Sequence, residues 1–217
     1  NLMEQASIPG AIVGVWVPEM GEWVAAFGLA DKDADRAMAT GDKVRIASNT
    51  KTFTATLVLL LADEGLLDLD DQLEDYIPGV PYGDEITVRQ LLNMTAGIFS
   101  FSEDEGFLDA FTADPLMEMT PQEGLDIALS HEPDFAPGQG WHYSDTNYEI
   151  LGMIVEQVTG NDIEDEMHRR IIEPLGLSHT SFPTTPEMPC LLYTSDAADD
   201  LLCVDLGGRR ILKKKKK

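Results

Sequence analysis

Two apolar runs rich in β-branched and aromatic residues, 11–17 and 22–28, are separated by Pro18-Glu19-Met20-Gly21. Apolar runs flanking a connector of this kind predict two strands joined as a hairpin. After an acidic loop over 31–42, residues 43–46 read as a short strand feeding a helix that begins near Ser48 and ends at Gly65. The body of that helix, 52–63, is apolar on nearly all sides, which predicts burial in the centre of the domain. Helical periodicity returns at Ile150, Leu151, Ile154, Val155 and Val158, predicting a helix over 144–159 that Gly160 stops. Three more helix starts are marked by caps. Thr87 precedes 88–93, Thr120-Pro121-Gln122-Glu123 forms a capping box with proline at the first helical position, and Asn161 pairs with Glu164. From residue 48 to 189 the chain is therefore expected to be mainly helical, without internal repeats.

Length and composition narrow the setting. A chain of 217 residues suffices for one domain or two small subdomains. No stretch approaches the ~20 apolar residues of a membrane span. The chain starts at Asn1 without a basic segment followed by an apolar one, so its start is expected to have been processed or never captured and does not reveal localisation.

The composition turns abruptly at Cys190 and ends in five lysines. Back-translated, Cys190 to Asp199 and Val204 to Ile211 can be spelled by strings resembling the two ends of a sequencing-library transposase adapter. Residues 190–217 are therefore expected to be a non-native, disordered tail, and 1–189 a partial domain. Both cysteines fall in that tail, so cysteine usage says nothing about redox compartment. Seven of the 15 basic and four of the 39 acidic residues also lie there, leaving eight basic against 35 acidic. So acidic a surface argues against nucleic acid or an anionic membrane as a partner, because phosphate binding needs clustered Lys and Arg.

The chemistry begins at Ser48-Asn49-Thr50-Lys51, the only Ser-x-x-Lys in the chain. Positions three apart share one helix face, so the lysine amine can reach the serine hydroxyl. A serine needs such a partner to act as a nucleophile, and a helix N-terminus favours developing negative charge. The plain alternative is a Ser48 that caps the helix beside a solvated Lys51. A second constellation runs from Pro137 to Tyr148, a glycine-bearing turn followed by Trp141, Tyr143 and a helix start. Tyr143 could project its phenol into a cleft and exchange protons with Ser48, the Lys51 charge favouring phenolate. The alternative there is that Trp141, Tyr143 and Tyr148 simply pack.

Taken together, these segments resemble the serine beta-lactamase and D-alanyl-D-alanine carboxypeptidase superfamily, in the branch of class C beta-lactamases, DD-peptidases and related esterases. The resemblance rests on Ile8-Pro9-Gly10-Ala11, Gly28-Leu29-Ala30-Asp31, the run from Arg45 to Lys51 and Asp63-Glu64-Gly65-Leu66-Leu67-Asp68-Leu69-Asp70. It continues through Ile86-Thr87-Val88-Arg89-Gln90-Leu91-Leu92, Pro137-Gly138, the run from Tyr143 to Tyr148, and Pro174-Leu175-Gly176-Leu177. It implies an α+β fold, a mainly helical domain plus the N-terminal hairpin of an antiparallel sheet whose C-terminal strands are missing here. It also implies an acyl-enzyme formed on Ser48, with Lys51 and Tyr143 as the other catalytic residues and Asp145 in contact with substrate. Substrates would be small molecules or peptidoglycan peptides carrying an amide, lactam or ester. No cofactor is implied, and the setting would be secreted or periplasmic.

Two departures from the resemblance matter. The second motif of the family is usually Tyr-x-Asn, and here it ends in Asp145. An ionised carboxylate accepts from Lys51 but cannot donate to a substrate. It also stabilises the ammonium, leaving more of the base role to Tyr143. The third motif, Lys-Thr-Gly or His-x-Gly, does not occur in the chain. The 217 residues alone are therefore expected to be inactive, with an unpaired sheet edge, while the full-length protein is an enzyme.

Other classes fit less well. His131, His142, His168 and His179 are scattered, without the His-Glu-x-x-His of a metal hydrolase, and Gly-x-Ser-x-Gly is absent. A non-catalytic penicillin- or peptidoglycan-binding relative remains the alternative, kept open by Asp145.

Overall fold

The computed structural model describes residues 2–183. The expected tail from Cys190 lies outside them. Strand β1 (Gly10–Val17) pairs antiparallel with β2 (Gly21–Asp31), from Val17 opposite Gly21 at the turn to Gly10 opposite Gly28 at the open end. The predicted hairpin is formed. Gly28 has φ +71°, and a Cβ there would lie 2.2 Å from the Pro9 carbonyl oxygen, so only glycine allows this close approach. A two-residue strand β3 (Arg36–Ala37) adds to the far edge of β2, giving the order β1-β2-β3.

The strand expected over 43–46 does not form; these residues have no regular structure. A strand exists through its ladder, and the free edge of β2 is taken by β3. Arg36 anchors that return by donating to Asp42 at 3.0 Å, while the same carboxylate accepts the Ala39 N–H.

The hairpin turns much of its apolar surface outward. Val13, Val15, Trp16, Trp23 and Phe27 are between 43% and 66% exposed. Among the described residues β1 has β2 as its one neighbour, leaving its other edge open.

The remainder is helical. A short first helix, α1 (Leu2–Gln5), precedes the sheet; α2 (Thr50–Asp63), α3 (Val88–Leu92), α4 (Glu105–Ala113), α5 (Pro121–Leu129), α6 (Asp145–Thr159) and α7 (Ile163–Met167) follow it. Helix α2 buries Leu57, Val58 and Leu61 completely but leaves Leu59 half exposed, so it is sunk on one face rather than all round. The centre belongs instead to α6, whose Ile150, Leu151, Ile154 and Val155 are fully buried and which packs on α2, α3, α5 and α7.

The capping box predicted at Thr120–Glu123 forms, with Pro121 opening α5, and the predicted cap Thr87 forms one as well, with Gln90. Gly160, at φ +69°, ends α6 in the left-handed conformation. Asn161 does not cap α7; Asp162 takes that position, and Asn161 donates through Nδ2 to Glu166 at 2.8 Å. Glu166 is fully buried and also accepts from Arg169 and Arg170, the latter reaching Glu64 at the end of α2. A π-helical turn, His168–Ile172, brings both arginines onto that carboxylate. Helix α4 was not signalled by the hydrophobic pattern. It starts at Asp104, whose side chain accepts the Phe107 N–H, and is held by Phe107 edge-on to Phe101.

Candidate active site

Ser48 sits in a 3-10 turn, Ala47–Asn49, immediately before α2. Ala47 before it has φ +46°, a left-handed conformation that costs an L-residue about 1 kcal/mol. Such outliers cluster where a side chain must be presented in a fixed direction. The capping alternative for Ser48 fails, because the α2 cap position is Asn49 and no side-chain cap bond is made there. Ser48 Oγ instead lies 2.7 Å from the Tyr143 hydroxyl, 95 positions away in sequence. Either oxygen can be the donor, so the pair is geometrically ready to pass a proton.

Lys51 follows one turn later on α2. Its Nζ donates to Asp145 Oδ1 at 2.6 Å and stands 4.8 Å from the Tyr143 ring centroid and 5.5 Å from that of Tyr148. Both side chains of the ion pair are only 18% exposed, so Lys51 is not a solvated surface lysine. The ammonium faces two aromatic π-surfaces, a favourable contact of about 0.5–2 kcal/mol depending on desolvation. Of the three aromatics, Tyr148 packs; its hydroxyl donates to the Leu92 carbonyl at 3.1 Å. Burial pushes its phenol up from the ordinary range, helped by neighbouring Tyr143. Trp141 is 65% exposed and does not pack in the core.

The four residues singled out in the sequence, Ser48, Lys51, Tyr143 and Asp145, thus meet in one place. The structure adds others. Ser102 donates to the second oxygen of Asp145 at 2.7 Å, and Ser100 Oγ accepts the Asp145 N–H at 3.0 Å. The two hydroxyls are 2.9 Å apart. Thr146 extends the lacing, accepting the Phe101 N–H and donating to the Phe99 carbonyl. Asp145 therefore has both oxygens engaged within the protein. The available sequence signal was Ser100-Phe101-Ser102, two hydroxyls flanking a fully buried phenylalanine.

His142, next to Tyr143, stands between two acidic side chains. Its Nδ1 is 2.5 Å from Asp134 and its Nε2 3.3 Å from Glu103. The hydrogen bond to Asp134 raises its pKa above the usual imidazole range, against a smaller opposing effect of burial. Among the described residues no cluster of His, Cys, Asp or Glu is arranged to hold a metal ion, and no helix is long and apolar enough to cross a membrane.

Comparison with known proteins bears on family and fold. The family model described as "Beta-lactamase" matches residues 1–199. Penicillin-binding protein 4* of Bacillus subtilis (strain 168) is 32% identical over 160 residues, covering 71% of this chain and 34% of that protein. Protein flp of Staphylococcus aureus (strain NCTC 8325 / PS 47) is 31% identical over 192 residues, covering 84% of this chain and 36% of its own length. Among solved structures, a D-stereospecific amidohydrolase from Streptomyces sp. superposes with TM-score 0.73 at 39% identity, over 81% of this chain and 52% of that one. The D-amino acid amidase from Ochrobactrum anthropi SV3, complexed with L-phenylalanine, gives 0.74 at 31%, over 87% and 51%. The chain spans about a third of the length of these curated relatives and about half of these solved ones. With the family model matching most of its length, the chain belongs to the beta-lactamase family.

Proposed function

We propose that the full-length protein is a serine hydrolase that forms an acyl-enzyme on Ser48 and hydrolyses an amide, lactam or ester. A D-alanyl-D-alanine carboxypeptidase-like or beta-lactamase-related substrate with a D-configured residue suits the relatives' names. The observation that carries the reading is the 2.7 Å contact between Ser48 Oγ and the Tyr143 hydroxyl beside the Lys51 ammonium. In acylation Ser48 Oγ bonds to the carbonyl carbon, whose oxygen takes up the π electrons, as the serine proton passes to the Tyr143 oxygen and the proton Tyr143 held is released toward the leaving group. The bond to the leaving amine or alkoxide then breaks, and that group takes the proton. Water attacks the resulting ester and restores Ser48. Lys51 favours the negative charge on Tyr143 during transfer.

In this reading Asp145 holds Lys51 and Ser102 in place, which fits its two engaged oxygens better than direct substrate contact does. The site is proposed to work outside the cytoplasm, on small molecules or peptidoglycan peptides and without a cofactor.

One observation favours a second reading. The 2.6 Å contact to Asp145 occupies the Lys51 amine within the protein, and a site without a free base acylates but does not turn over. The deciding experiment gives the full-length protein a chromogenic cephalosporin, a p-nitrophenyl ester, a D-Ala-D-Ala peptide and a D-amino acid amide, beside Ser48→Ala. Turnover of any one that Ser48→Ala abolishes supports the hydrolase. Stable labelling by fluorescent penicillin without turnover selects the second reading, and neither result sinks both. The 217 residues alone are proposed to be inactive, and labelling of that chain at Ser48 would contradict this.

A further inference from the structure

Tyr143 belongs to no helix or strand. It sits on the irregular segment leading into α6, yet its hydroxyl must be held within hydrogen-bond distance of a serine on a different element. The ordinary device for fixing such a segment, a side-chain cap at Ser144, is not used. The start of α6 is held from outside instead.

Much of that hold comes from one residue. The Met94 carbonyl accepts the His142 N–H at 3.2 Å, and the Met94 sulfur accepts the Ser144 N–H at 3.5 Å. These are the two neighbours of Tyr143 in the chain. The same sulfur is 3.6 Å from Asn147 Nδ2, in the first turn of α6, whose amide also reaches the Leu91 carbonyl. Met94 is 7% exposed and has φ +65°, a conformation that costs a non-glycine residue about 1 kcal/mol. A thioether is a weak acceptor. Its two donors are nonetheless buried, and neither Ser144 Oγ nor Asn147 Oδ1 finds a protein partner of its own.

We propose that Met94 is a positioning residue, whose carbonyl and thioether bracket Tyr143 and set its phenol against Ser48. The functional half of this rests on the reading of Tyr143 as the proton partner of Ser48; the structural half does not. Losing the sulfur frees the Ser144 side of the bracket while the carbonyl still holds His142. The nearest hold on the far side of Tyr143 is then Asp145, pinned by Ser100, Ser102 and Lys51 one residue further on, and the slack at Ser144 lets the Tyr143 hydroxyl move relative to Ser48 Oγ.

The test compares Met94→Leu, which keeps volume and removes the acceptor, with Met94→Gln, which returns an acceptor on an unbranched side chain. The 217-residue chain is labelled with ring-13C tyrosine, and the Tyr143 signal is assigned by its loss in Tyr143→Phe. In Met94→Leu the Tyr143 signal should shift or broaden while those of Tyr76 and Tyr82 stay. The Ser144 amide should exchange roughly tenfold faster, as expected for loss of one hydrogen bond. Met94→Gln should restore both. An unmoved Tyr143 and Ser144 in Met94→Leu, or a Met94→Gln indistinguishable from Met94→Leu, overturns the proposal. Should Met94→Leu not fold, the unsubstituted chain decides, because a Ser144 amide exchanging as fast as an unstructured one overturns it and a protected amide retained in Met94→Gln supports it. In the full-length protein, kcat should fall in Met94→Leu with KM little changed. Full activity in Tyr143→Phe would defeat the proton-partner reading and leave the ring shifts standing.

Discussion

Lys51 and Asp145 lie 94 positions apart in the chain, and their side chains meet in a partly buried ion pair over the Tyr143 ring. The pair joins the first turn of α2 to the first residue of α6. It therefore fastens the segment bearing Ser48 to the segment bearing Tyr143, and loss of either partner should be felt in both fold and site.

Asp145→Ala is expected to lower stability by about 1–3 kcal/mol, because Lys51 and Ser102 lose a shared acceptor. Asp145→Asn retains an acceptor for Lys51 and should cost less. Thermal unfolding of the two variants checks the order, and equal melting temperatures for Ala and wild type would show that the ion pair contributes nothing.

Ser48→Ala should abolish acylation of the full-length protein. Tyr143→Phe removes only the hydroxyl that faces Ser48 Oγ, and its acylation rate should fall by about 10²–10⁴, the usual worth of a general acid–base. Single-turnover kinetics with a p-nitrophenyl ester measures both.

Glu166 gives a pH-dependent contribution to the fold. Burial pushes its carboxyl up, but hydrogen bonds from Arg169, Arg170 and Asn161 outweigh that and hold it down at about 2, against an ordinary 4.5. A depressed carboxylate stabilises the native state above pH 4.5, and that contribution drains away as pH falls from there toward 2. The gap corresponds to about 3 kcal/mol at neutral pH. Glu166→Gln should therefore be less stable than wild type at pH 7 and converge on it near pH 2, as read from urea titrations at a series of pH values.

His142 has the opposite sign. Its pKa is raised by Asp134, so the stabilising pairing is fully present below the ordinary 6.5 and is lost as pH climbs through the raised value. His142→Gln should erase this dependence, leaving the stability difference between pH 6 and pH 9 smaller than in wild type.

Much of the helical body was legible in the sequence because its signals are local. Thr87 with Gln90, Thr120 with Glu123, and Gly160 each act within a few residues, and the hairpin is fixed by the connector between its strands. The convergence of Ser48, Lys51, Tyr143 and Asp145 was also legible, through the order of whole segments rather than any single one. What escaped depends on distant partners. Residues 43–46 have strand-like composition, but the second edge of β2 is already taken by β3, and Ser100 and Ser102 acquire their role only when α6 arrives beside them. Asn161 looked like a cap because its spacing to Glu164 is right, but a buried carboxylate two residues further on claimed its amide.

The outward face of the hairpin has a practical consequence. All three tryptophans of the chain are on the surface, Trp16 and Trp23 on the strands and Trp141 just before Tyr143. Intrinsic fluorescence of this protein is therefore a poor witness to its core, since the indoles are already in water in the native state. It is a sensitive witness to contact. Anything that covers the hairpin will dry Trp16 and Trp23, and anything that settles beside Tyr143 will be reported by Trp141, so single-tryptophan variants would separate the two events by colour alone.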